Sequence, residues 1–181
     1  MTAEQVRREF DADVTWLPFD LHPEYPPEGI PRADLHARYG EAMHERLRAQ
    51  FEANGLVYAP PADVVPNTRN ALRLTELARD RELHEPFHDR LMDAYWTEEA
   101  NLADADVLRR LAADVGLPAD DVERVLEDGE AYLDRVLDST RQAQSIGING
   151  IPAFLLDRRL LVLGAQPQEA FRQAFAQLAG D

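Results

Sequence analysis

The chain has 181 residues and a net charge of −15, and all 19 of its basic residues are arginine. So acidic a chain argues against a nucleic-acid or anionic-membrane surface, where basic patches must neutralise phosphate. It contains no cysteine, which removes disulfides, thiolate metal ligands and cysteine nucleophiles. The length is enough to bury a real core, as one domain or as one domain with an insertion. No apolar run approaches the ~18–20 residues of a membrane helix. The N-terminus lacks the basic-then-apolar order of a signal peptide, so a cytoplasmic protein is expected.

The middle of the chain reads as helices. Asp34 can cap a helix with Leu35, Tyr39, Met43, Leu47 and Phe51 on one face, ending near Gly55. Residues 56–66 read as an irregular connection broken at Pro60-Pro61. Asn67 can cap the next helix, with Ala71, Leu74 and Ala78 turned inward. Phe87, Leu91 and Tyr95 mark another. Asp104 caps a further one through Val107, Leu108, Leu111 and Val115, stopped by Gly116. Pro118 opens a short helix through Val122 and Leu126, and Leu133, Val136, Leu137 and Thr140 line the next.

The last third changes period. Ala153–Leu156 and Leu160–Leu163 are short apolar runs separated by Asp157, Arg158 and Arg159, the pattern of a hairpin of buried strands. Pro152 stands where a strand tolerates a missing N–H. Gly164 ends the second strand. Pro167 suits the first turn of a closing helix whose apolar face is Phe171, Ala174, Phe175 and Leu178.

Few motifs carry chemistry. His84-Glu85-Pro86-Phe87-His88 matches H-E-x-x-H as a string, but a zinc hydrolase needs both histidines one turn apart on one helix face. Pro86 is expected in the first turn of the helix bearing Phe87, with His84 outside it, so no metal site is expected. The only serines, Ser139 and Ser145, lie in no G-x-S-x-G elbow. No phosphate-binding glycine pattern occurs. Glu98-Glu99 and Asp120-Asp121 read as helix surface or first-turn charge. His22 reads as a solvated loop residue, and Trp16 is expected to pack on the helical block.

The segment GINGIPAFLLDRRLLVLGAQPQEAF, Gly147–Phe171, is similar to the C-terminal signature of DsbA-like thioredoxin-fold proteins. It looks closest to the FrnE branch, whose relatives include 2-hydroxychromene-2-carboxylate isomerases and kappa-class glutathione transferases. VTWLPFDLHPEYPPEGIP, Val14–Pro31, resembles that branch's second strand, near Val14–Phe19, and the proline-rich loop after it. PNTRNALRLTELAR, Pro66–Arg79, resembles a helix of its inserted helical domain, and residues 1–10 look like the second half of the family's first helix. The resemblance implies an α/β fold: a thioredoxin-like part at 1–33 and 147–181, incomplete at the N-terminus, with a large helical insertion at 34–146. Members carry a first strand and then Cys-x-x-Cys, or a serine in the isomerase and transferase relatives. Neither is found here. An open sheet slot is then expected between Val14–Phe19 and Ala153–Leu156, filled by direct pairing of the two or by a second copy in a homodimer.

The resemblance also implies a binding site. Ile151 and Pro152 occupy the family's cis-proline pair, where the backbone pairs with an extended peptide or with glutathione. Gly164, Ala165 and Gln166 stand at the mouth of the last helix, where free N–H groups suit a carboxylate such as the γ-glutamyl end of glutathione. Two functions follow. One is a DsbA/FrnE-like thiol–disulfide oxidoreductase that cannot do dithiol chemistry with this cysteine-free chain; a glutathione-dependent isomerase or transferase is its variant. The other is a degenerate, non-redox member that binds a peptide, a small thiol or an aromatic ligand, or serves as a partner module. Apart from a possible glutathione, no cofactor is implied.

Overall fold

The computed structural model describes residues 3–180. Two compact units emerge: His22–Asp138, and Met1–Leu21 together with Ser139–Asp181.

The first unit is built around α4, Arg69–Asp80, which packs against α5, His84–Thr97, and α7, Ala119–Glu127. Helix α6, Ala105–Asp114, closes against α5 and α7. Leu74, Leu77, Phe87, Leu108, Leu111 and Val125 are almost fully buried at their meeting. Leu74 and Leu77 on α4, like Leu108 and Leu111 on α6, stand three residues apart, which places each pair on one stripe. The Asp104 carboxylate accepts from the Asp106 and Val107 backbone N–H groups at 2.8 and 3.4 Å, the expected cap of α6. At the other end Gly116 takes φ 82, and Leu117 N–H reaches the Ala112 carbonyl, a Schellman stop. Asn67 caps α4 from one residue further out than a standard cap. Its Oδ1 accepts from Arg69 N–H at 2.9 Å while its Nδ2 donates to the Tyr25 carbonyl at 2.8 Å.

Three expectations for this unit change. The single helix from Asp34 to Gly55 is two helices, α2, Arg32–Tyr39, and α3, Glu41–Ala53. Gly40 separates them at φ 75, a value that breaks the right-handed run. Asp34 lies inside the first turn of α2 and does not cap it. The side chains of Tyr39 and Met43 lie outside the described residues. The connection after Gly55 is not wholly irregular either: β2, Val64–Val65, pairs antiparallel with β1, Ile30–Pro31, in the register Ile30↔Val65.

The second unit contains α1, Ala3–Phe10, the hairpin β3, Ala153–Leu156, with β4, Leu160–Leu163, and α9, Gln168–Gly180. The end of α8, Leu133–Ser145, also belongs to it. The hairpin strands are the two expected, in the register Ala153↔Leu163. Asp157 and Arg158 both take positive φ and Arg159 N–H bonds to the Leu156 carbonyl, the twist a tight hairpin requires. Phe154 points to α9, with its ring 4.9 Å from Phe171. Phe10 stacks on Phe175 at 4.0 Å, and the Glu9 carboxylate accepts from Arg172 Nε at 2.6 Å, which ties α1 to α9.

The strand expected near Val14–Phe19 does not form, and this is a correction. The segment is extended in spirit: burial alternates, with Val14, Trp16 and Pro18 turned in and Thr15 and Leu17 out. No strand lies beside it among the described residues. Its backbone groups are taken instead by side chains. Arg7 donates to the Val14 carbonyl, Ser139 to the Pro18 carbonyl at 2.7 Å, and Thr140 Oγ1 accepts from Asp20 N–H at 2.9 Å. A period-2 pattern needs a neighbour before it becomes a ladder. Among the described residues β3 pairs with β4 alone, so the direct pairing expected between this segment and β3 is absent there.

Candidate functional site

The Ile151–Pro152 peptide is cis and leads straight into β3. Ile151 is 59% exposed. The Pro152 carbonyl accepts from Gly164 N–H at 2.8 Å, so the start of β3 and the end of β4 are tied at one end of the hairpin. Gly164 sits at φ 76, which turns the chain out of β4 toward α9 without a Cβ penalty. The fold thus brings together Ile151, Pro152 and Gly164. The outer edge of β3 faces no strand among the described residues. Beside it, the face opposite Phe154 carries Leu155 at 45% and Leu163 at 48% exposure.

Ala165 and Gln166 lie on the exposed link before α9, which starts at Gln168. The Gln166 amide is folded back, its Nε2 donating to the Leu163 carbonyl at 2.8 Å. The first turn of α9 already has a carboxylate beside it, because the Gln168 side chain donates to Glu9. Arg172 first, and Gln168 second, hold the Glu9 carboxyl below its usual range.

The H-E-x-x-H string folds differently from its reading. Helix α5 starts at His84, so His84 lies inside it, with Pro86 still in the first turn. An N–H missing there is one that no helical carbonyl awaited. The two imidazoles stack one turn apart, centroids 6.1 Å, planes 8° apart. Pro86 therefore does not keep them from sharing a face. Among the described residues no group of three His, Asp or Glu side chains is arranged for a metal ion.

Burial lowers the pKa of both rings, with Arg79 and then His88 adding to the effect at His84. The sign follows. As pH falls below the ordinary 6.5, the unfolded chain takes up protons that the folded rings refuse, so stability is lost until the folded values are passed. The urea midpoint should drop between pH 7.5 and pH 5, and by visibly less in a His84→Gln/His88→Gln variant. An equal drop in both proteins would exclude these rings as the cause.

No local pattern marks Arg32, Tyr58 and Tyr95, which come together through the pairing of β1 with β2 and the Ala59 N–H bond to the Trp96 carbonyl at 2.7 Å.

Residues 2–176 match the DSBA-like thioredoxin domain family. The chain is 25% identical over 175 residues to "Uncharacterized protein YwbO" of Bacillus subtilis (strain 168), covering 96% of this chain and 86% of that one. Among solved structures it is similar to the "probable DsbA oxidoreductase SCO1869" from Streptomyces coelicolor. The TM-score is 0.82 at 35% identity, over 90% of this chain and 74% of that one. No described helix is long and apolar enough to cross a membrane. The fold is thus thioredoxin-like with a helical insertion, and the chain belongs to the DSBA-like thioredoxin domain family.

Proposed function

We propose that this chain is a non-redox, cytoplasmic member of the FrnE-like branch, which binds an extended peptide or a glutathione-like thiol beside Ile151–Pro152. The observation that carries the reading is the open outer edge of β3, directly after an exposed Ile151. Such an edge offers unpaired N–H and C=O groups to an extended ligand, and neighbouring apolar side chains give it a surface to lie on. With the Gly164 N–H already held by the Pro152 carbonyl, the Ala165–Gln166 link is left to supply backbone N–H groups for a ligand carboxylate. Thiol–disulfide exchange needs an attacking thiolate, and the 181 residues hold none. The oxidoreductase reading draws support from the likeness to the Streptomyces "probable DsbA oxidoreductase", and it requires a thiol supplied from outside these residues. The same open edge suits a second copy of the chain, giving a homodimer.

Two measurements test the reading. Titration with S-methylglutathione should move the backbone amide signals of Ile151, Ala153, Gly164 and Ala165, and lower the dimer fraction in sedimentation at micromolar concentration. The protein alone should not accelerate insulin reduction over a buffer blank. Unmoved amides at these four positions in a folded sample would remove the binding proposal, and genuine turnover would remove the non-redox one.

A further inference from the structure

We propose that the helical unit holds a second, separate binding site, for a small aliphatic carboxylate of acetate or propionate size. The site is the cavity lined by Arg32, His44, Leu47, Tyr58, Tyr95 and Trp96.

The argument begins with Arg32. It follows β1 directly, and its N–H bonds to the Asp63 carbonyl at 2.9 Å. This anchors its side chain inside the unit, where it is only 7% exposed. Nε donates to the Pro61 carbonyl, and Nη2 to the Val64 carbonyl at 3.0 Å and the Tyr95 hydroxyl at 3.3 Å. Nη1 makes no hydrogen bond, and no carboxylate pairs with the guanidinium among the described residues. The neutral partners orient the group without cancelling its charge. Nη1 is not sealed from solvent, and because the other partners of the guanidinium are neutral, this donor is left for an anion, the kind of acceptor it binds most strongly.

The neighbouring groups point the same way. Arg48 can only donate, so its contact with His44 Nε2 at 3.3 Å makes that nitrogen an acceptor. The other ring nitrogen, Nδ1, then carries the proton of the neutral ring and donates to the Tyr58 oxygen at 3.0 Å. The Tyr58 hydroxyl proton is left to donate elsewhere. Burial pushes its pKa up, which keeps that proton in place. Tyr95 has its oxygen occupied by Arg32, so its proton is also available. The polar lining therefore offers one cation and two hydroxyl donors. An amine or ammonium would meet repulsion from Arg32 and find no acceptor, whereas a carboxylate matches all three donors.

Size and walls complete the assignment. The cavity measures ≈ 80 Å³, about half the ~150 Å³ of a cavity that takes up benzene. That admits a carboxylate with a very short tail and excludes an aromatic acid. Leu47 and the face of Trp96 supply an apolar wall for the tail, and Trp96 is itself braced by Tyr95 at 4.7 Å and Phe51 at 4.8 Å. Inorganic phosphate would present a charged oxygen to that wall.

The test uses the full chain at constant ionic strength. Sodium propionate should shift the Trp96 indole and Arg32 Nε signals saturably. Sodium chloride, phosphate and benzoate should not. Tyr58→Phe and Tyr95→Phe keep the rings and each remove one donor to an anion, so each should weaken propionate binding about tenfold. Because Arg32 also clamps the 61–64 backbone, these two variants carry the decision if Arg32→Lys does not fold. The proposal is overturned if propionate produces no saturable shift, if benzoate binds as tightly, or if both tyrosine variants bind propionate like the parent.

Discussion

Replacing Arg73 by methionine should cost about 4 kcal/mol of stability. Arg73 is only 2% exposed, on the inner face of α4. Its guanidinium donates to the Val125 carbonyl at 2.5 Å, the Ala131 carbonyl at 2.7 Å, the Asp128 carbonyl, and Asn70 Oδ1 at 2.8 Å. Three of these acceptors are backbone carbonyls at the end of α7 and the turn beyond it, which a helix end leaves without partners. Arg73 thus closes α7 onto α4 by a tertiary cap. Burial pulls its pKa below the ordinary value, with Asp128 and Glu130 partly opposing, yet a guanidinium stays charged at any working pH. Methionine fills similar volume but takes this donor from the Val125 and Ala131 carbonyls, while the Asp128 carbonyl keeps the Ala131 N–H. In a chain of this size the loss corresponds to a melting temperature lower by about 8–16 °C. Lysine keeps the charge but offers no planar fork, so it should recover less than half of the loss. A methionine variant melting within about 2 °C of the parent would show that water takes over these carbonyls at little cost.

A Gly29→Ala variant should lose about 3 kcal/mol. Gly29 takes φ 88, and a Cβ there would lie 2.3 Å from the Val65 carbonyl oxygen and 2.9 Å from the Pro66 Cα. Both neighbours are backbone, so relief requires β1 and β2 to separate. Strain and clash act together, unlike at an open glycine such as Gly116, where nothing stands within 4 Å of the added carbon. Separation would also move Asp63 and Val64, to which Arg32 is anchored. The variant should therefore lose propionate binding as well as stability. Thermal melting and the propionate titration on one sample read both effects. Unchanged melting would mean that the β1–β2 pairing contributes little to this unit.

The proposed binding segment is legible for an uneven reason. Ile151, Pro152 and Gly164 lie at the ends of one hairpin, so a local pattern carries them together. Ala165 and Gln166 follow in the chain, but the folded-back Gln166 amide depends on where the Leu163 carbonyl points. The Arg32 cavity was invisible because its three donors come from β1–α2, the 56–66 connection and α5. A cation, a phenol and another phenol far apart in sequence carry no mutual signal. Likewise the sequence places Pro86 in the first turn of its helix and His84 outside, whereas the helix starts at His84 and takes in both histidines.

What the chain determines alone is what neighbouring residues decide between themselves. The strands Ala153–Leu156 and Leu160–Leu163, the Asp104 cap and the Gly116 stop rest on periodicity and on backbone groups within a few residues. Tertiary structure decided whatever needs a distant partner. Val14–Phe19 has a strand's alternation but no adjoining strand, so side chains from α1 and α8 hold its backbone instead. Ile30–Pro31 and Val64–Val65 have too few residues to signal a strand, yet they pair because Gly29 lets the two backbones approach. Arg73 reads as ordinary helix surface until the end of α7 comes to lie on it. Hydrogen-bond partners across such separations are set by packing, and packing is a property of the whole chain.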